Sequence, residues 1–274
     1  QIVALTSWPI TGRAGADSRA LLRDAIAAGV DLVGGCPYLD TDPIEANATL
    51  LSIAAAAGLP LDLHTDETLD PASLSLEDLA MRVISTGFPH PVTASHCVSL
   101  GVQPASVQRR VAEAVAAAGI SVVALPHTNL FLQGRDHQVA MPRGLTAIAA
   151  LRTAGVDVAA GADNLQDPFN PMGRGDPLET AALMVMAAHF LPDDAIAAVT
   201  SRARRAVGLA PSLVEPGAPA DLVAIPATTV REALAFQPGG RMTFRGGTLV
   251  SGSTATAMAT SGGAAGRVTP AAVA

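Results

Sequence analysis

The sequence predicts an α/β fold: a (β/α)8 barrel lacking its first two strands in this chain, with part of a small β-sandwich appendage behind it. Three observations lead there. Six short β-like runs recur at intervals of roughly thirty residues, the length of one strand, one helix and two loops. Alanine-rich amphipathic segments fill the intervals between them. Ionisable residues gather at the C-terminal ends of the runs, the end at which a parallel barrel collects its functional groups.

The strands are expected in "QIVAL" from residue 1, "VDLVGGCP" from 30, "LPLDLHTDE" from 59, "PVTASHC" from 91, "ISVVALPHTN" from 120 and "VDVAAGADN" from 156. Helices are expected between them, among others in "DSRALLRDAIAAG", "EANATLLSIAAAAG", "PASVQRRVAEAVAAAG" and "GLTAIAALRTAG", each closing on a glycine suited to a C′ position. A doubly wound open sheet would also place polar groups at strand ends. No GxGxxG follows the first strand and no phosphate loop is present, so the barrel is preferred. A closed barrel has eight units and six are visible, so two are expected upstream of residue 1.

Two further helices are read in "GDPLETAALMVMAAHF" and "PDDAIAAVTSRARRAVGL". The pattern then changes to Pro- and Gly-punctuated strands in "PGAPADLVAIPA" and "RMTFRGGTLVSG". The expected organisation is therefore a barrel over 1–210, the C-terminal part of a small β domain over 211–250, and a disordered tail over 251–274 that is rich in Ser, Thr, Ala and Gly.

With 274 residues, 49% of them hydrophobic, the chain can bury a large core. A net charge of −7 and the lack of an arginine run argue against a nucleic-acid surface, which needs clustered cations. A small-molecule ligand fits better. All 17 basic residues are arginine, which excludes a lysine Schiff base, a P-loop lysine and a bridging lysine carbamate within this chain. Cys36 and Cys97 are too few for a disulfide framework and form no CxxC pair. No apolar run reaches the length of about 18 residues that spans a bilayer. A cytoplasmic protein with no membrane partner is the expectation, and homo-oligomerisation is left open.

In "LDLHTDE", strand alternation puts Leu61 and Leu63 on one face and Asp62 and His64 on the other. In a barrel the leucines pack outward against helices and His64 points inward, where a neutral imidazole can ligate a divalent metal. Glu67 follows just past the strand, within reach of a group bound beside that metal. "VTASHC" adds His96 and "VAAGADN" adds Asp163 and Asn164. Each alone has a structural reading: a strand-end His is more often a hydrogen-bonded residue than a ligand, Asp66 and Glu67 could be helix N-terminal charges, and Asp163 could cap a loop. Their recurrence at one end of successive strands favours a metal site with an attached acid/base. His90, His127 and His137 are expected in loops, with His127 the one nearest a pocket. His189 is read as a structural helix residue and Cys36 as a small buried one.

The segments "QIVAL", "DLHTDE", "VTASHC", "NLFLQGRDH", "GADNLQDPFNPMG" and "PGAPADLVAIPA" resemble, in order and spacing, the cytosine deaminase family of the amidohydrolase superfamily. The resemblance covers the chain to about residue 250. It implies one divalent metal ion, zinc or iron, with His64 and Asp163 as ligands. It further implies Glu67 as proton shuttle, His96 in contact with the attacking water, and Asp163 taking a proton from that water. Gln1, Asn164 and Phe169 are implied as the substrate-binding set. The implied reaction is hydrolytic deamination of a small N-heterocycle.

Three departures accompany the resemblance. The chain contains no HxH pair, which in the family supplies two more metal ligands from the first barrel strand. Asn164 stands where cytosine deaminases tend to have aspartate, and "TSWPI" replaces a glutamine-containing segment. A triazine or cyclic-amide amidohydrolase, and a catalytically incomplete remnant, therefore remain as alternatives.

Overall fold

Strands and helices alternate as the thirty-residue rhythm requires. The computed structural model describes residues 1–210 and 212–252. The chain divides into two compact units, Gln1–Pro211 and Ser212–Ala274.

The first unit runs β1 (Val3–Leu5), α1 (Ala16–Ala27), β2 (Leu32–Gly35), α2 (Pro43–Ala57), β3 (Leu61–Thr65), α3 (Ser75–Thr86), β4 (Val92–His96), α4 (Ala105–Ala117), β5 (Ser121–Ala124), α5 (Pro126–Leu132), α6 (Ile148–Thr153), β6 (Val158–Ala160), α7 (Pro177–Ala188), α8 (Pro192–Val199) and α9 (Ser201–Ala206). All six expected strands form. They make one sheet in the order β1-β2-β3-β4-β5-β6, every pair parallel. Consecutive order is that of a barrel wall. A doubly wound sheet reverses its order at a switch point. Among the described residues β1 and β6 are the two edges of this sheet.

The side chains explain the layering. Leu61 and Leu63 are fully buried on one face of β3, with Asp62 and His64 on the other. Leu22, Leu50, Leu76, Leu79 and Val111 from α1 to α4 complete the core. The start of α2 is set by a side-chain cap: Asp42 accepts from the N–H groups of Ile44 and Glu45, with Pro43 at the first helical position. The start of α3 is capped from a distance. Asp66 accepts from the Ser75 and Leu76 N–H groups and from the Ser73 and Ser75 hydroxyls.

Three local expectations are corrected. The stretch around His127 is not a loop: Pro126 at N1 opens α5, placing His127 in its first turn. The segment from Pro192 to Ala206 is two helices, because Thr200 leaves helical geometry (φ −125°, ψ −93°) while its hydroxyl donates back to the Ile196 carbonyl at 2.6 Å. His189 does not lie within a helix. It closes α7 in the left-handed conformation, φ 57°. Helices α3 and α10 were not singled out from the sequence.

The second unit contains β7 (Leu222–Ala224), α10 (Val230–Phe236), β8 (Met242–Arg245) and β9 (Thr248–Ser251), with an antiparallel sheet in the order β7-β8-β9. Gly246 and Gly247 link β8 to β9 with φ of 53° and 80°. Positive φ at both central residues is what a two-residue hairpin needs to match strand twist, and glycine supplies it without strain. Ser251 ends β9, and the remainder of the expected disordered tail, 253–274, lies outside the described residues.

Candidate active site

The C-terminal ends of β3 and β4 bring two imidazoles together. His64 is the fourth residue of β3, on the face opposite Leu61 and Leu63. The register pairs His64 with Ser95 and Thr65 with His96. Paired residues share a face, so unbroken alternation would send His96 to the helix side with Thr65. Instead His96 adopts φ 65° and Cys97 φ 49°, which ends the extended run. The His96 Nε2 then lies 3.1 Å from His64 Nδ1.

The strands that carry the site share this device. Asp66 (φ 48°), His96 (φ 65°) and Asp163 (φ 64°) are all non-glycine residues in the left-handed region just where β3, β4 and β6 end. Each costs of order 1–3 kcal/mol and persists only because the surroundings over-determine it. Two main-chain bonds lock the β3 and β4 ends together: Cys97 N–H donates to Thr65 O at 2.8 Å and Ser99 N–H to Asp66 O at 3.2 Å.

Glu67 completes the group. Its Oε1 is 3.4 Å from His96 Nδ1, and its Oε2 accepts a 2.9 Å hydrogen bond from the Tyr38 hydroxyl. The Gln133 side chain donates to its main-chain oxygen at 3.3 Å. Asp163 follows β6, with Oδ2 3.9 Å from His96 Nε2. Asn164 beside it is held by its neighbours: its amide nitrogen donates to Asp167 Oδ2 at 2.7 Å, and its N–H donates to the Thr128 hydroxyl at 3.2 Å.

Burial shapes the charge states. It lowers the proton affinity of His64, an effect His96 reinforces and the acids Asp163, Asp62 and Glu67 oppose. Burial pushes the Glu67 carboxyl above its ordinary value, against the opposing bond from Tyr38. His96, 2% exposed, is likewise driven toward the neutral form by burial. The Cys36 thiol is pushed up to about 11, first by burial and then by Glu67 and Asp163, so it is no thiolate ligand at neutral pH.

The donor set suits a divalent cation. The ligand atoms of His64, Glu67 and His96 lie within 4.8 Å of one another. Neutral imidazole nitrogen with carboxylate oxygen is a combination that zinc and iron accept. This tight group differs from the ligand pair that the resemblance implies, His64 with Asp163. Within the tight group His96 Nδ1 faces Asn129 Oδ1 at 2.9 Å and Glu67 Oε2 accepts from Tyr38, which leaves His96 Nε2 and Glu67 Oε1 as its remaining donor atoms.

One of the expected substrate-binding residues is not brought to this group. Leu5 is level with Gly34, and Gly34 with Asp62, so Gln1 lies six residues below His64 along the sheet. At the usual rise that is about 20 Å, toward the opposite end of the parallel strands. The segment that does follow the C-terminal end of β1 begins at Thr6, in "TSWPI". Phe169 sits on a turn whose N–H groups bond to Asp167, and it is 58% exposed, covered mostly by solvent.

Tyr38, Asn129 and Gln133 were not singled out from the sequence. Their hydroxyl and amide groups carry no spacing signal, and only the fold brings residues from after β2 and from α5 to the ends of β3 and β4. His127 is buried, with Nε2 3.5 Å from Glu179 Oε2. A cavity of about 350 Å³ lined by Arg143, Thr146 and His189 lies elsewhere and includes none of the clustered residues.

Strand-end histidines and an acid thus gather at the mouth of a parallel α/β wall, a donor set that could hold a metal ion. The chain belongs to the amidohydrolase family, whose sequence profile matches residues 5–251. It is 37% identical over 227 residues to the pterin deaminase of Rhizobium rhizogenes (strain K84 / ATCC BAA-868), a match covering 81% of this chain and 52% of that protein. The crystal structure of 5-methylcytosine deaminase from Klebsiella pneumoniae liganded with phosphonocytosine superposes with a TM-score of 0.83 at 30% identity, covering 92% of this chain and 63% of that one. N-isopropylammelide isopropylaminohydrolase from Burkholderia multivorans ATCC 17616 gives a TM-score of 0.77 at 33% identity, covering 92% and 62%. The chain thus spans about half the length of that curated relative. No helix among the described residues is long and apolar enough to cross a membrane.

Proposed function

We propose that the protein is a metal-dependent hydrolase that removes an amine from a small, flat N-heterocycle, with zinc or iron as its cation. The single observation that carries this is the grouping of His64, Glu67 and His96 within 4.8 Å at the C-terminal ends of neighbouring parallel strands. When bound, a divalent cation supplies the Lewis acidity that makes water a competent nucleophile near neutral pH.

The chain's own residues have the following parts in this reading. His64, kept neutral by burial, offers a nitrogen lone pair to the cation, and Asp163 offers a carboxylate oxygen. Glu67 accepts one proton from the attacking water and delivers it to a ring nitrogen; the second proton of that water, released as its oxygen becomes the carbonyl, passes to the departing amine. The water oxygen becomes the ring carbonyl, the C–N bond breaks and ammonia leaves. Tyr38 holds one Glu67 oxygen at 2.9 Å, so the other is the mobile proton carrier. His96 turns Nε2 toward the space shared with His64 and Asp163, where it contacts the attacking water and orients it.

The test is ammonia release by the metal-loaded protein across cytosine, 5-methylcytosine, pterin and aminotriazines. Metal bound with no ammonia from any of them would sink the reading. A second reading is favoured by Asn164: a neutral amide at this position suits hydrolysis of an alkylamino-substituted triazine, and release of an alkylamine rather than ammonia from such a ring would select it. The free thiols of Cys36 and Cys97 support a reducing, cytoplasmic setting.

A further inference from the structure

His96 is held by one neighbour whose own orientation is fixed. Asn129, in α5, is 1% exposed. Its amide nitrogen donates to the Gly144 carbonyl at 3.0 Å, and its Oδ1 faces His96 Nδ1 at 2.9 Å. The reverse orientation would set the amide oxygen against the Gly144 carbonyl, two acceptors with no proton between them in a buried place, at a cost of a few kcal/mol. An amide oxygen only accepts, so the proton of the neutral His96 ring must be on Nδ1. Glu67 Oε1, 3.4 Å from the same nitrogen, is a second acceptor pressing the same way. Nε2 is then the lone-pair nitrogen. It faces His64 Nδ1 at 3.1 Å and Asp163 Oδ2 at 3.9 Å.

Gly144 is part of the device. It has φ 67°, and a Cβ there would lie 2.8 Å from the Asn129 carbonyl oxygen and 2.6 Å from Gln133 Cβ. Only glycine lets the carbonyl that anchors the amide come this close to α5.

We propose that Asn129 is a positioning residue that sets the tautomer of His96, holding the proton on Nδ1 and leaving the Nε2 lone pair toward the space shared with His64 and Asp163. The catalytic consequence rests on the deaminase reading. There, Nε2 can take a hydrogen bond from the attacking water, which the other tautomer cannot do.

The tautomer is read without activity, from ring nitrogen NMR of metal-free protein labelled with 15N-histidine. The His96 signals are those lost in His96→Gln. Wild type is expected to show protonated Nδ1 and bare Nε2. Asn129→Leu should give mixed or inverted tautomers, and Asn129→Asp, which can donate to the Gly144 carbonyl as the protonated acid while keeping an acceptor oxygen toward the ring, should restore Nδ1–H. Gly144→Ala, which displaces the anchoring carbonyl, should weaken the preference by an independent route. A wild-type ring protonated on Nε2, or an unchanged ring in a folded Asn129→Leu, overturns the proposal; should that variant not fold, the wild-type, Asn129→Asp and Gly144→Ala spectra decide. In the metal-loaded protein, Asn129→Leu should lower kcat roughly 10- to 100-fold with little change in KM, and Asn129→Asp should recover most of it. Equal losses in the two variants overturn the positioning role. Failure of the wild type to release ammonia from any heterocycle removes the deaminase reading alone, because the ring signals do not depend on turnover.

Discussion

The Tyr38 hydroxyl donates a 2.9 Å hydrogen bond to Oε2 of Glu67, joining the loop after β2 to the end of β3. The bond favours the ionised carboxylate, while burial opposes it, and Tyr38 itself is held protonated by burial and by the Glu67 charge. Tyr38→Phe should therefore raise the Glu67 pKa further. As proton acceptor Glu67 must be ionised, so the acid limb of the kcat/KM profile should move to higher pH, with roughly tenfold lower activity near neutrality. An acid limb that stays in place would disconnect Tyr38 from the proton shuttle.

The two ligand assignments predict different metal contents. With His64 and Asp163 as ligands, His64→Ala should leave the protein nearly metal-free after dialysis, whereas Glu67→Gln should keep its metal and lose turnover. Elemental analysis of the purified variants decides this. Loss of metal from Glu67→Gln would move Glu67 into the ligand set, as the 4.8 Å grouping with His64 and His96 would allow.

Asp66 sits between the catalytic candidates yet faces away into the protein, 1% exposed and accepting four hydrogen bonds from Ser73, Ser75 and Leu76. Asp66→Ala strands these donors and uncaps α3, at a cost of about 3 kcal/mol. For a unit of this size that corresponds to a drop in Tm of about 6–12 °C. A thermal melt within a degree of wild type would refute the capping role.

Asp40 ties the segment after β1 to the turn after β2, accepting from Thr11 and from the Ile10 N–H at 2.6 Å. Burial pushes its carboxyl up, but the bonds from the Thr11 hydroxyl and from the Ile10, Asp42 and Thr11 amides outweigh burial and hold it below the usual carboxylate range. A folded-state value below the unfolded one contributes stability above about pH 4 that is lost as pH falls through the folded value. Asp40→Asn should thus lower the urea midpoint at pH 7 and flatten its fall below pH 4. Parallel midpoint curves for the two proteins would contradict the linkage.

Gln1, at the far end of β1 from the histidines, should be silent. Gln1→Ala is expected to leave KM within about twofold, as an exposed substitution does. A KM increase of ten or more would require a different path for the chain before β1.

Much of the fold was legible in the sequence because its periodicities are local. Leu61 and Leu63 alternate with Asp62 and His64, and that period of two survives intact in β3. The end of β4 was not legible in the same way. Alternation from the β3 register sends His96 toward the helices, and the ring reaches His64 only because His96 and Cys97 turn left-handed. No residue type announces such a turn firmly: histidine visits the left-handed region more often than most non-glycine residues but far less than glycine, and cysteine has no such enrichment.

By itself, then, the sequence determined the six-strand rhythm, the α/β class and the side chains available at strand ends, because spacing and polarity act over a few neighbouring residues. The tertiary structure decided which of those side chains meet. It sent Gln1 to the far end, turned Asp66 inward as a helix cap, and recruited Tyr38 and Asn129 to hold Glu67 and His96. Hydrogen bonds between residues about thirty positions apart depend on strand register and backbone twist, which emerge only when the parallel wall is assembled.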